Sequence, residues 1–170
     1  PVFVDETIRD GIQSPSVKDP SIDEKMALLR LMDRLGIQVV NLGLPGAGRR
    51  AQEDVERLLR MIVDEGLAIR ANCAARTVAR DIQPIIDISQ RVGVPIEVTA
   101  FIGSSPIRAE VENWSVDRMK RHTIEAMQLI VEHNLPASFI TEDTTRSHPR
   151  TLDTLFRAAI DHGATRLVLC

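Results

Sequence analysis

The stretch VDETIRDGIQ, Val4 to Gln13, stands at the head of the chain, directly after a short apolar run. Pro1 to Val4 reads as the end of a first strand. Asp5, Glu6, Arg9, Asp10 and Gln13 then crowd the loop behind it. Packing alone has no use for so many charged side chains at a strand end. An Arg beside an Asp offers a fixed cation and a hard oxygen ligand a few Å apart. The pair is either a plain ion pair or part of a site that holds a divalent cation and polarises a carbonyl.

Outward from this stretch, short runs rich in Val and Ile alternate with longer helical patterns. The expected strands are Val2–Val4, Ile37–Gly43, Ala68–Cys73, Pro95–Phe101, Ala137–Glu142 and Arg166–Cys170. Their spacing is that of a βα unit of about 30 residues. Ser21 and Glu24 form a capping-box signature, and Ile22, Met26, Leu29 and Met32 follow at helical spacing before Gly36. A second helix carries Val55, Leu58, Leu59, Ile62 and Val63 on one face. A third runs from about Ile82 to Val92, with Pro84 in its first turn. A fourth begins near Ser115, and a fifth near Pro149 ends before Gly163.

Regular strand–helix alternation specifies a parallel α/β sheet. Two architectures satisfy it: an open doubly wound sheet, or most of a (β/α)₈ barrel, which takes roughly 250 residues when complete. An open nucleotide-binding sheet carries a glycine-rich phosphate loop after its first strand. Here that loop is charged and has one glycine, and GxGxxG and Walker patterns are absent. GLPGAG, Gly43 to Gly48, reads as a flexible βα loop. Polar residues recur at the strand ends: Arg9 and Asp10, Asn41, Asn72 and Arg76, Thr99 with Ser104 and Ser105, and Glu142 with Asp143 and Thr144. In a barrel they converge on the C-terminal rim, the catalytic face.

Composition narrows the function. The 170 residues are 44% hydrophobic and 26% charged, which suits one globular unit with a real core. A net charge of −3 gives no electrostatic footprint for nucleic acid or an anionic membrane. Aromatic residues make up only 3%, too few for a base-stacking platform. No apolar run reaches membrane-span length. The two cysteines, Cys73 and Cys170, lack metal-type spacing, and a reduced, cytoplasmic protein is the expectation. A start on Pro1 and an end within the apolar run RLVLC are read as those of a piece of a longer polypeptide. The four histidines, His122, His133, His148 and His162, show no ligand spacing and are read as surface or capping residues.

The string Asp5, Thr7, Ile8, Arg9, Asp10, Gly11, Gln13 closely resembles D-x-T-L-R-D-G-x-Q, the signature of the DRE-TIM metallolyase family of isopropylmalate and homocitrate synthases and hydroxymethylglutaryl-CoA lyase. FIGSSPIR, Phe101 to Arg108, resembles the strand-four loop of the isopropylmalate synthase branch, with Arg108 in place of His. TEDTTRSHP, Thr141 to Pro149, resembles its strand-five motif, GATRLVLC its sixth strand, and ANCAAR its third. The second strand departs: Asn41 stands where many members show the Glu of Glu-x-Gly-Phe-Pro.

The resemblance implies a TIM barrel, with residues 1–170 as its N-terminal portion and strands seven and eight outside. It also implies metal-dependent Claisen-type condensation of acetyl-CoA with a 2-oxo acid. Asp10 would be a ligand to Mg, Mn or Zn, together with an H-x-H pair of strand seven that lies outside this chain. Arg9 would neutralise the developing alkoxide, and Glu142 would serve in acid–base transfer. Gln13, Arg76, Ser105 and Thr144 would bind substrate. The family implies a homodimer for the full-length protein. A carbon–carbon lyase, and a non-catalytic binding module, remain the alternatives.

Overall fold

The computed structural model describes residues 2–170. Six strands form one sheet in the order β1-β2-β3-β4-β5-β6, and every neighbouring pair is parallel. They are β1 Val4–Asp5, β2 Val39–Asn41, β3 Arg70–Arg76, β4 Glu97–Gly103, β5 Ala137–Glu142 and β6 Ala164–Leu169. The helices are α1 Ile22–Arg34, α2 Arg49–Asp64, α3 Ala79–Val92, α4 Pro106–Val111, α5 Val116–Glu132 and α6 Pro149–Asp161. Strands in sequence order, each paired with the next, form the curled sheet of an incomplete (β/α) barrel rather than a doubly wound sheet, whose order reverses.

Side-chain alternation along the strands divides the molecule. Val40 and Leu42, Ala71, Cys73 and Ala75, Val98, Ala100 and Ile102, and Phe139 point to the helices and form one core with Leu58, Leu59, Ile82, Ile85, Ile86, Met127 and Leu155. The intervening residues face the concave side. That side is polar near its base: Asn72 donates to Thr99 Oγ1 at 2.5 Å, Ser138 donates to Glu97, and Arg166 lies 3.3 Å from Glu97.

Local signals explain most boundaries. Ser21 and Glu24 cap α1 reciprocally, as their spacing predicts. α3 begins at Ala79, three residues before the expected Ile82. Pro84 therefore sits inside the helix rather than in its first turn. A flanking row of Ile82, Ile85, Ile86 and Ile88, all buried, holds the helix through the missing N–H. β3 runs on through Ala74, Ala75 and Arg76, beyond the expected Cys73, because those residues pair with Thr99 to Phe101 of β4. Partner strands override the low strand preference of alanine. β1 is confined to Val4–Asp5, two residues later than its apolar run begins. The six-residue α4 has no counterpart among the expected helices.

Candidate active site

The Arg9–Asp10 loop leaves the C-terminal end of β1 as a tight turn. The main-chain carbonyl of Glu6 accepts from the N–H groups of Arg9, Asp10 and Gly11 at 3.1, 2.8 and 3.1 Å. A 3₁₀ turn, Gly11–Gln13, follows. The guanidinium of Arg9 is fixed from two sides. Its Nε donates to Glu6 Oε2 at 3.0 Å, its Nη2 lies 2.7 Å from the same oxygen, and its Nη1 donates to Asp10 Oδ1 at 3.0 Å. The side chain of Glu6 also accepts from Asn41 Nδ2, at 3.2 and 3.0 Å to its two oxygens. Asn41 is fully buried at the end of β2.

A cleft of about 450 Å³ opens beside this loop, lined by Arg9, Asp10, Gln13, Leu44, Ala74, Phe101, Ile140, Glu142 and Cys170. These come from the C-terminal ends of β1 to β6, the rim on which a barrel carries its chemistry. Ala74, Phe101 and Ile140 supply an apolar floor, while Arg9, Asp10, Gln13 and Glu142 supply polar walls. The Glu142 carboxylate is half exposed, 4.0 Å from Nη2 of Arg108. Arg108 lies across Gly103: a Cβ on that glycine would stand 2.7 Å from Arg108 Nε, so only glycine admits the arginine there. Burial pushes the Cys170 thiol above its ordinary value, and Arg9 draws it partly back.

Of the residues expected from sequence, the fold thus brings Arg9, Asp10, Gln13 and Glu142 to one cleft. Arg76, Ser105 and Thr144 do not line it. Arg76 is held by Asp81, through Nε at 2.6 Å and Nη2 at 3.0 Å. Ser105 caps α4, accepting from the Arg108 N–H at 3.4 Å. Thr144 ties the ends of β5 and β6: its N–H donates to Cys170 O, and its hydroxyl accepts from Cys170 N, both at 2.9 Å. The histidines sit on helices or at their ends, with His148 capping α6 and the rings of His133 and His162 bonded to Leu129 O and Ala158 O.

Sequence reading placed Glu6 in the charged loop but gave no site role to it or to the cleft-lining Cys170. Strand alternation carries the signal for the second, since Arg166, Val168 and Cys170 share a face. For Glu6 the signal is its place two residues beyond Val4 on the concave side of β1.

The HMGL-like family matches the chain over residues 1–170. The chain belongs to the HMGL-like family. It is 30% identical over 167 residues to a 2-isopropylmalate synthase of Methylococcus capsulatus, covering 98% of this chain and 31% of that protein. It is 28% identical over 165 residues to homocitrate synthase AksA of Methanocaldococcus jannaschii, covering 96% of this chain and 38% of that one. The chain thus spans about a third of the length of these curated relatives. In fold it resembles the crystal structure of HMG-CoA lyase from Bacillus subtilis, with a TM-score of 0.73, 16% identity, and coverage of 99% of this chain and 57% of that one.

HMGL-like membership implies a divalent metal, and the donors present test that implication. Asp10 is exposed on the cleft and suits one position of a hard-cation site. Among the described residues, no group of three or more His, Cys, Asp or Glu side chains could hold a metal ion. Asp10 by itself is not a metal centre. Among the described residues, no helix is long and apolar enough to cross a membrane.

Proposed function

We propose that the full-length protein condenses an acyl-CoA with a 2-oxo acid, as an acyltransferase of the isopropylmalate or homocitrate synthase type. The observation that carries this reading is the hydrogen-bonded Arg9–Asp10 pair on the same rim cleft as Glu142, above an apolar floor. The synthase relatives support the direction of the reaction.

In this reading a proton leaves the carbon next to the thioester, the resulting enolate forms a bond to the keto carbon, and hydrolysis of the thioester releases CoA. Arg9, locked by Glu6 and Asp10, presents a fixed cation to the keto oxygen as it becomes an alkoxide. Charge that develops only in the transition state is where a fixed cation lowers the barrier. Glu142 accepts or returns protons at the rim, directly or through water. Gln13 orients the carboxylate of the 2-oxo acid, and Ala74, Phe101 and Ile140 receive its carbon chain. A divalent ion would supply Lewis-acid polarisation, with Asp10 as the ligand from this chain.

The test is CoA release by the full-length protein with a panel of 2-oxo acids, alongside Arg9→Lys. Lysine keeps the charge and loses the planar fork. Turnover is expected to fall on the order of a hundredfold, with KM for the 2-oxo acid changed far less. Near-normal turnover in Arg9→Lys would remove Arg9 from the mechanism. Absence of CoA release with every acid would remove the reaction itself.

A further inference from the structure

The carboxylate of Glu6 does nothing for the core, yet it is the best-connected acid of the cleft loop. It contacts Nε and Nη2 of Arg9 on one side and Nδ2 of Asn41 on the other. The orientation of Asn41 is not free. Its Oδ1 accepts from the Gly43 N–H at 3.2 Å, so its NH₂ group must face Glu6. A glutamate at position 41 would instead set a second carboxylate against the first, and like charges at that distance repel. The two positions are therefore coupled: one carboxylate, on β1 or on β2, and an uncharged partner opposite.

We propose that Glu6 is a positioning residue that acts through Arg9, and that Asn41 is the residue that makes room for a carboxylate on β1. In this chain the acid comes from the first strand and the amide that faces it from the second. Glu6 grips the guanidinium along its Nε edge, leaving Asp10 on Nη1, and thereby fixes the plane in which Arg9 faces the cleft. This inference rests on the proposed condensation only for its kinetic readout.

The experiment takes the full-length protein with Glu6→Gln, Asn41→Glu and the double substitution. Glutamine keeps the shape and removes the charge. Glu6→Gln is expected to lower kcat about 10- to 100-fold with KM changed by less than about threefold. Asn41→Glu alone is expected to be similarly impaired, and the double substitution, which moves the carboxylate to β2, to recover much of kcat. A direct readout needs no substrate: the NMR signal of the Arg9 Nε–H, assigned by its loss in Arg9→Lys. It should move and exchange faster in Glu6→Gln and return in the double variant. An unmoved signal overturns the proposal, as does a moved signal with kcat intact. If the parent protein releases no CoA, the condensation reading falls, and the Nε–H signal alone decides the contact between Glu6 and Arg9.

Discussion

Asp81 and Gly46 occupy a shared space: a Cβ on Gly46 would lie 2.6 Å from Asp81 Cγ and 2.9 Å from Oδ1. The contact joins the 3₁₀ turn after β2, Pro45–Ala47, to the first turn of α3. Asp81 is buried, and its carboxylate is spoken for by the Nε and Nη2 groups of Arg76. It cannot retreat from an added methyl without loosening that grip. Gly46→Ala is expected to destabilise the full-length protein by about 1–3 kcal/mol. Arg76→Ala, which takes two side-chain donors from a buried carboxylate, is expected to cost about 2 kcal/mol. Because both act on one carboxylate, the double variant should lose less than the two losses added together. Urea unfolding of the three variants tests this, and strict additivity would refute the coupling.

A second buried charge sits beneath the cleft loop. Lys25 is 6% exposed although it lies on α1, and its Nζ stands 2.9 Å from Asp54 Oδ2 and 3.2 Å from Asp19 Oδ1. It joins α1 to α2 and to the loop before α1. Lys25→Ala leaves Asp54 poorly hydrated and unpaired, an expected loss of about 3 kcal/mol. Lys25→Met with Asp54→Leu, which replaces the pair by apolar groups, should recover most of it. Denaturant midpoints measure both. A silent Lys25→Ala would show that water already screens the pair.

Glu56 gives a pH-dependent tie between α2 and α3. It accepts from Arg60 on its own helix at 2.8 Å and from Arg91 at 2.8 Å. These two hydrogen bonds hold its carboxyl below the ordinary 4.5. A lowered carboxyl contributes stability that is complete above its unfolded value and is lost as pH falls through the folded one. Glu56→Gln should therefore cost about 1 kcal/mol or less at pH 7 and almost nothing well below pH 4. Thermal unfolding against pH is the measurement, and a cost that grew toward acid would contradict the sign.

The sheet was legible because its physics is periodic. Val- and Ile-rich runs at βα spacing locate all six strands, and β5 falls on Ala137–Glu142 as expected. Boundaries failed where long-range pairing decided them, as in the extension of β3 along β4. Pro84 misplaced the start of α3 because a proline penalty is local, whereas the buried isoleucine row that outweighs it is tertiary. At the cleft, Arg9, Asp10 and Glu142 were readable from their places at strand ends, and Gln13 from the string that resembles D-x-T-L-R-D-G-x-Q. Arg76 shared that signature, but its engagement with Asp81 depends on a helix start that sequence set too late. Glu6 was hidden for another reason. Its meaning lies in Asn41, 35 positions away, and no local pattern links the two.

The unbroken strand order bears on how the protein is made. Each strand finds its partner in the unit synthesised just before it, as Val39 finds Val4 and Ala164 finds Ala137. No strand described here must wait for a distant segment before it can pair with its predecessor. A chain emerging from the ribosome can therefore add one βα layer after another, keeping its apolar strands briefly exposed. The Arg9 loop is made before the strands that bring the other walls of its cleft, and Glu142 and Cys170 reach it only once β5 and β6 have paired.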